Sequence, residues 1–165
     1  PGFDASVPGW VDNGTMTTWI YDVPDYLQKT DPGPADGGSN YFGGGTGDNS
    51  TMHQEIDLTG IAEEIGWGNL TYSLTAYIGG YLGQNDCMEV LVEFFDSSGN
   101  LLLSEGIGPV YAADRNYTTG IHLHGVIGQV PADSAWVRVT LNAYLEYGYN
   151  DAYADDVSLI LSTQT

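Results

Sequence analysis

The sequence predicts an all-β protein: a two-sheet antiparallel β-sandwich of jelly-roll type, almost without helix, in one domain over 1–165. Three observations predict it. Apolar and polar residues alternate over short runs, the period of a strand with one buried face. Clusters of Gly, Pro, Asn, Asp and Ser separate the runs and supply turns. A length of 165 residues suits one domain with a sizeable core.

Residues 1–10 are turn-rich, with Phe3 and Trp10 expected as core plugs and Asp4 exposed or metal-bound. Residues 15–23 have strand composition. Pro32, Gly33 and Pro34 make 25–36 a loop. Five glycines in 37–45 flank a short aromatic strand. No lysine or helix follows them, so they read as turns and close backbone approach rather than a phosphate cradle. Residues 52–58 alternate, and 61–66 hold the expected helical turn. In 70–77, Leu70, Tyr72, Leu74 and Ala76 share one face. Residues 79–86 form a loop. Residues 88–95 run apolar with Glu89 and Glu93 outward, 96–100 form a hairpin turn, and 101–104 return. An irregular stretch, 109–117, contains Arg115. Residues 120–127 and 135–145 are strands around a turn at 131–134. In the last strand Asp155, Val157, Leu159 and Leu161 fall on one face, and Asp156, Ser158 and Ile160 on the other. The total is about nine to eleven strands, as a jelly roll requires.

Composition restricts the partners. Twenty-two acidic residues face 3 basic ones, a formal charge of -19. Such a surface repels nucleic acid and anionic membranes. No apolar run approaches the roughly 20 residues of a membrane span, so membrane insertion is not expected. Solubility, divalent-cation binding and adaptation to high salt would each explain the acidity. Cys87 stands alone, which excludes an internal disulfide and reads as a buried thiol. Asn-x-Ser/Thr triplets at Asn13, Asn49, Asn69 and Asn116, with a start at Pro1 that reads as processed, point to a secreted, extracellular protein.

Asp155 heads the row expected to be buried. A buried carboxylate needs a partner, and this chain has few cations. A metal ion is the simplest one, and an all-oxygen site reads as Ca2+.

Pro1-Gly-Phe-Asp4 followed by Trp10, Gly38-Ser-Asn-Tyr-Phe42, and Tyr153-Ala-Asp-Asp-Val-Ser-Leu159 resemble the opening, early strand and closing strand of bacterial galactose-binding-like jelly-roll carbohydrate-binding modules. The resemblance implies a calcium ion that ties the opening segment to the last strand. By position, Asp4 and Asp155 would be its ligands, with backbone oxygens of 37–40 and Asp36 or Asn40 as further side chains. Asp4 stands where those modules have Glu, one methylene longer.

Among enzymatic readings, Glu63-Glu64 and Asp155-Asp156 are common neighbours in an acidic chain, while Glu55 and Asp57 share a strand face without a matching carboxylate opposite. There is no Gly-x-Ser-x-Gly. His122 and His124 share a strand face and, with His53, would suit a transition metal; a polar face is the plainer reading.

Binding fits the composition better. Sugar rings stack on aromatic side chains, and polar loop residues read their hydroxyls. The chain has 12 Tyr and 4 Trp. Tyr81, Tyr111, Tyr147 and Tyr149 lie in expected loops beside Asn85, Arg115, Asn150 and Asp151. These eight are the expected ligand-binding residues, gathered at one rim from three loops. The expectation is non-catalytic binding of a glycan by a calcium-stabilised module. The alternative is a self-assembling surface or filament protein of the same fold, with 101–103 as the apolar edge.

Overall fold

A computed structural model describes residues 9–163. Ten strands run in chain order: β1 (Val11–Asn13), β2 (Thr17–Ile20), β3 (Asn40–Gly45), β4 (Ser50–Asp57), β5 (Leu70–Gly80), β6 (Cys87–Phe95), β7 (Leu101–Ile107), β8 (Gly120–Gln129), β9 (Trp136–Tyr144) and β10 (Asn150–Thr163). Two five-stranded antiparallel sheets result, ordered β1-β4-β9-β6-β7 and β2-β3-β10-β5-β8. Among the described residues, helix is confined to α1 (Ala62–Gly66) and two 3-10 turns, Thr59–Ile61 and Ala112–Arg115. The expected β-sandwich is therefore observed. The second 3-10 turn lies in the stretch that reads as irregular, and the short β1 falls between the turn-rich opening and the strand expected at 15–23.

The core between the sheets follows the two-residue period. Tyr72, Leu74, Ala76 and Ile78 of β5 meet Met88, Val90, Val92 and Phe94 of β6 and Val137, Val139, Leu141 and Ala143 of β9, all buried. Each large apolar side chain buried there contributes about 1.5–3 kcal/mol. Trp10 packs on Phe42, ring centroids 5.4 Å apart, and plugs this core as expected. Phe3 lies outside the described residues. Asp96 fixes the β6–β7 hairpin by accepting from the amides of Ser98 and Asn100.

The last strand corrects the sequence reading. Asp155 pairs with Tyr77, but Ser158 pairs with Thr75, so β10 spends three residues where β5 spends two. Asp156 adopts φ +47° at this bulge. The extra residue exchanges the faces. Ala152 and Ala154 point into the core before it, and Val157, Leu159 and Leu161 after it. Asp155 therefore shares a face with Tyr153, opposite to Val157, Leu159 and Leu161.

Asp155 is buried on that outer face by a second aromatic layer. Trp19, Tyr21, Tyr41 and Tyr153 cluster there with Leu27 and Ile121. Gly43 permits it: a Cβ at this position would lie 2.7–3.0 Å from the Trp19 ring. The chain from Tyr21 to Ser39 folds over the layer, held where the Tyr21 amide donates to Ser39 O (3.1 Å) and the Ile121 amide to Pro32 O (2.8 Å).

Candidate functional site

The loops expected to meet do meet at one end of the sandwich. The Asn85 amide and Nδ2 donate to the Glu146 carboxylate at 3.1 and 3.4 Å, and the Ala112 amide donates to Asn85 Oδ1 at 3.3 Å. A cleft of about 420 Å³ opens beside this junction, lined by Asn85, Glu89, Pro109, Tyr111, Tyr144 and Glu146 among others. Tyr111 is 47% and Tyr144 38% exposed. Glu89 Oε2 accepts from Tyr144 OH at 2.8 Å and from Asn142 Nδ2 at 3.2 Å. Burial and the bond to Glu89 push the Tyr144 phenol up to about 12, so it stays a donor. The cleft thus combines two accessible aromatic rings with carboxylate and amide oxygens whose positions their neighbours hold.

Alternation places more of β9 on the same outer face: Asn142, Thr140, Arg138 and Trp136 follow Tyr144 along the strand. At the far end Trp136 stacks on Phe95 at 3.9 Å and 5°, and the Arg138 guanidinium lies 5.3 Å from the Trp136 centroid while bonding Glu55 Oε1 at 2.6 Å. A second cleft of about 400 Å³ there is lined by Trp136, Glu55, Asp57 and Thr59. Strand geometry separates Trp136 from Tyr144 by about 26 Å. Sequence reasoning missed Glu89, Trp136, Arg138, Tyr144 and Glu146. The period-two pattern of 136–144 was a usable signal, but what faces it across the sheet was not legible.

The eight expected ligand-binding residues divide. Asn85 and Tyr111 line the first cleft, and Tyr147, 72% exposed, follows Glu146 on its rim loop. Tyr81 and Tyr149 pack against the second aromatic layer instead, Tyr149 5.3 Å from Trp19. The other three lie beneath the surface. Asn150 is fully buried and its Nδ2 donates to Ala143 O and Asp48 O. Asp151 accepts from Tyr153 OH at 3.0 Å. The Gln84 amide bridges Asp151 and Asp86, 2.9 and 3.0 Å away. Burial pushes Asp151 up to about 6. Arg115, expected at the rim, is 1% exposed, and its guanidinium donates to the carbonyls of Gly80, Leu82, Gln84 and Thr118. It holds the loop that carries Asn85, and reads no ligand hydroxyl itself.

The expected metal ligands are also placed, apart from Asp4, which lies outside the described residues. Asp155 Oδ2 accepts from Tyr21 OH at 2.6 Å and Oδ1 from the Asp156 amide at 2.8 Å. Burial first, then the charges of Asp156 and Asp36, raise its affinity for a proton, opposed by those two hydrogen bonds. Gly37 packs so closely that a Cβ would lie 2.8 Å from Oδ2. Asp36 and Asn40 are exposed. Among the described residues no three His, Cys, Asp or Glu side chains group to hold a metal. Asp155, Asp36 and Asn40 make at most part of a calcium shell. His53 faces outward on β4, whereas His122 and His124 are half-buried on β8 of the other sheet, so the three do not converge. Cys87 is buried, and burial pushes its thiol up to about 11.

No family model and no curated protein sequence matches the chain. Solved structures do match. The enzymatically active domain of tailspike protein 4 of bacteriophage CBA120 superposes with TM-score 0.59 and 17% identity over 94% of this chain, which spans only 20% of that one. Family 16 Carbohydrate Binding Module-2 gives 0.58 and 17%, covering 89% of this chain and 86% of that one. TmCBM61, solved with beta-1,4-galactotriose, gives 0.50 and 10%, covering 95% and 90%. The chain has the jelly-roll β-sandwich fold that carbohydrate-binding modules also have.

Proposed function

We propose that this chain is a non-catalytic, secreted module that binds an uncharged glycan on the outer face of the β1-β4-β9-β6-β7 sheet. The observation that carries the reading is the first cleft, where Tyr111 and Tyr144 stand beside Asn85, Glu89 and Glu146. An aromatic face takes the C–H side of a sugar ring, and fixed carboxylate oxygens accept from its hydroxyls. The fold shared with carbohydrate-binding modules supports it. The charge inventory selects the ligand class. Arg115 is buried, Arg138 is paired with Glu55, and Lys29 is the remaining basic residue, so an anionic polysaccharide meets repulsion. Aromatic groups at both ends of β9 suit an extended chain of several units.

Calcium is a separate part of the proposal. It is supported by a buried Asp155 whose carboxylate has negative neighbours, and by the resemblance of the chain's two ends to calcium-binding modules. Screening against an array of neutral, amino and acidic glycans tests the binding reading. Neutral oligosaccharides should be retained and uronic or sulfated ones should not. A blank array, or selective retention of acidic chains, overturns it.

A further inference from the structure

Strand β8 is an edge strand of the second sheet. Natural edge strands are guarded by Lys, Pro, inward charges or bulges. The sequence of β8, Gly-Ile-His-Leu-His-Gly-Val-Ile-Gly-Gln, carries no Asp, Glu, Lys, Arg or Pro, and its pairing with β5 is continuous from Thr71↔Gln129 to Gly80↔Gly120. The Ile121 amide is taken by Pro32 O. From Leu123 to Ile127, among the described residues, no other strand lies along the free edge.

The side chains on this flank are also unusual for so acidic a chain. Leu123 and Ile127 project outward, 59% and 74% exposed, with Gly125 between them. Ile160 on β10, 59% exposed, and Thr71, Ser73, Thr75 and Ser158 continue the same face. None of these residues is acidic. Two copies meeting on this face would set none of its own residues against one another as like charges. The strand is also self-complementary. An antiparallel partner with Gly125 opposite Gly125 would set Leu123 against Ile127 of the other copy twice, the cross-strand apolar pairing that stabilises sheets.

We propose that β8 is a self-association edge, at which a second copy of this chain adds its own β8 antiparallel and joins the two five-stranded sheets. The cleft on the opposite sheet stays open, so a dimer would present two clefts. Each copy carries a formal charge of -19, so screening by salt favours association.

Sedimentation equilibrium of the full chain at rising concentration, in low and high salt, tests this. The expected result is a mass approaching twice that of the chain, reached at lower concentration in high salt, with slowed amide exchange at Leu123, Gly125 and Ile127. Ile127→Lys should return a folded monomer, checked by its melting curve, whereas Ile160→Lys, which lies off the edge, should still dimerise. A wild-type chain that stays monomeric at every concentration overturns the proposal. So does a dimer that survives both Ile127→Lys and Leu123→Lys, or one abolished by Ile160→Lys alone.

Discussion

Tyr21 and Asp155, 134 residues apart in the chain, meet through a 2.6 Å hydrogen bond from the phenol to the carboxylate beneath the second aromatic layer. The bond ties the covering loop to the last strand and satisfies one oxygen of a buried charge. Removing only the hydroxyl isolates its value. Tyr21→Phe keeps the ring contact with Tyr41 at 4.9 Å but leaves Oδ2 short of a donor, at a cost of about 1–3 kcal/mol. Each kcal/mol lowers the melting temperature of a chain this size by about 2–4 °C. An unchanged melting temperature in Tyr21→Phe would mean that water replaces the phenol, and that Asp155 is less dry than its 9% exposure indicates.

Chelation asks whether that carboxylate has a further partner. An ion that binds only the folded chain adds about 2.7 kcal/mol of stability when present at 100 times its Kd. Melting in calcium and in excess chelator should therefore differ by several degrees, and Asp155→Asn should shrink the difference. Superimposable curves would leave Asp155 to Tyr21 and the Asp156 amide alone, and would remove the ion from the account.

Asp151 predicts a pH dependence of unusual sign. Burial gives its carboxyl a folded value near 6 against an ordinary 3.8. The folded chain then binds the proton more tightly than the unfolded chain does. Stability from this group is complete below the unfolded value and is lost as pH rises through the folded one. The melting temperature should rise as pH falls from 7 towards 5, the reverse of ordinary acid loss. Asp151→Asn should flatten that rise. If the mutant and wild-type profiles run parallel, the dependence belongs to Asp155, whose proton affinity burial also raises, or to the general charge of the surface.

Much of the architecture was legible because period-two alternation needs only local sequence. Residues 70–77 and 88–95 show it on both faces, and their inward residues are buried as expected. The bulge after Asp155 was not legible. One added residue leaves the alternation intact to the eye while exchanging its faces, and an Asp at φ +47° carries no compositional mark. The meeting of three loops was foreseen from their aromatic and polar content, but not which of their side chains face water. Arg115 and Asp151 sit in polar stretches that suggest exposure, yet the carbonyls of 80–84 and the Gln84 amide enclose them. Glu89 and Tyr144 come together across strands 55 residues apart, a register that alternation alone does not define.

Arg115 illustrates how the rim is built. Its guanidinium gathers the carbonyls of Gly80, Leu82, Gln84 and Thr118. A lysine keeps the charge, but its one nitrogen cannot serve both the Gly80, Leu82 and Thr118 carbonyls at Nη1 and the Gln84 carbonyl at Nη2. Arg115→Lys should cost about 1.5–3 kcal/mol for each charged hydrogen bond lost. It should also loosen Asn85, so glycan affinity should fall together with stability. A variant that melts normally would show that the loop holds itself.

The cleft variants separate binding from folding. Tyr111 and Tyr144 are half-exposed at the surface, and truncating such positions away from core packing changes stability by about 0.5 kcal/mol or less. Tyr111→Ala should therefore leave the melting curve nearly unaltered and remove one stacking surface from the ligand. Tyr144→Phe keeps the ring but frees Glu89 Oε2 of its phenol donor, so affinity should fall less than with Tyr144→Ala. Glu89→Gln removes the charged acceptor while keeping its shape, and should weaken binding to neutral glycans. If it instead admits acidic ones, the carboxylate acts as a filter as well as a contact. Titration calorimetry on the best array ligand reads all four. Full affinity in both Tyr111→Ala and Tyr144→Ala would move the glycan away from this cleft, and retained affinity in Trp136→Ala as well would move it off the β9 face altogether.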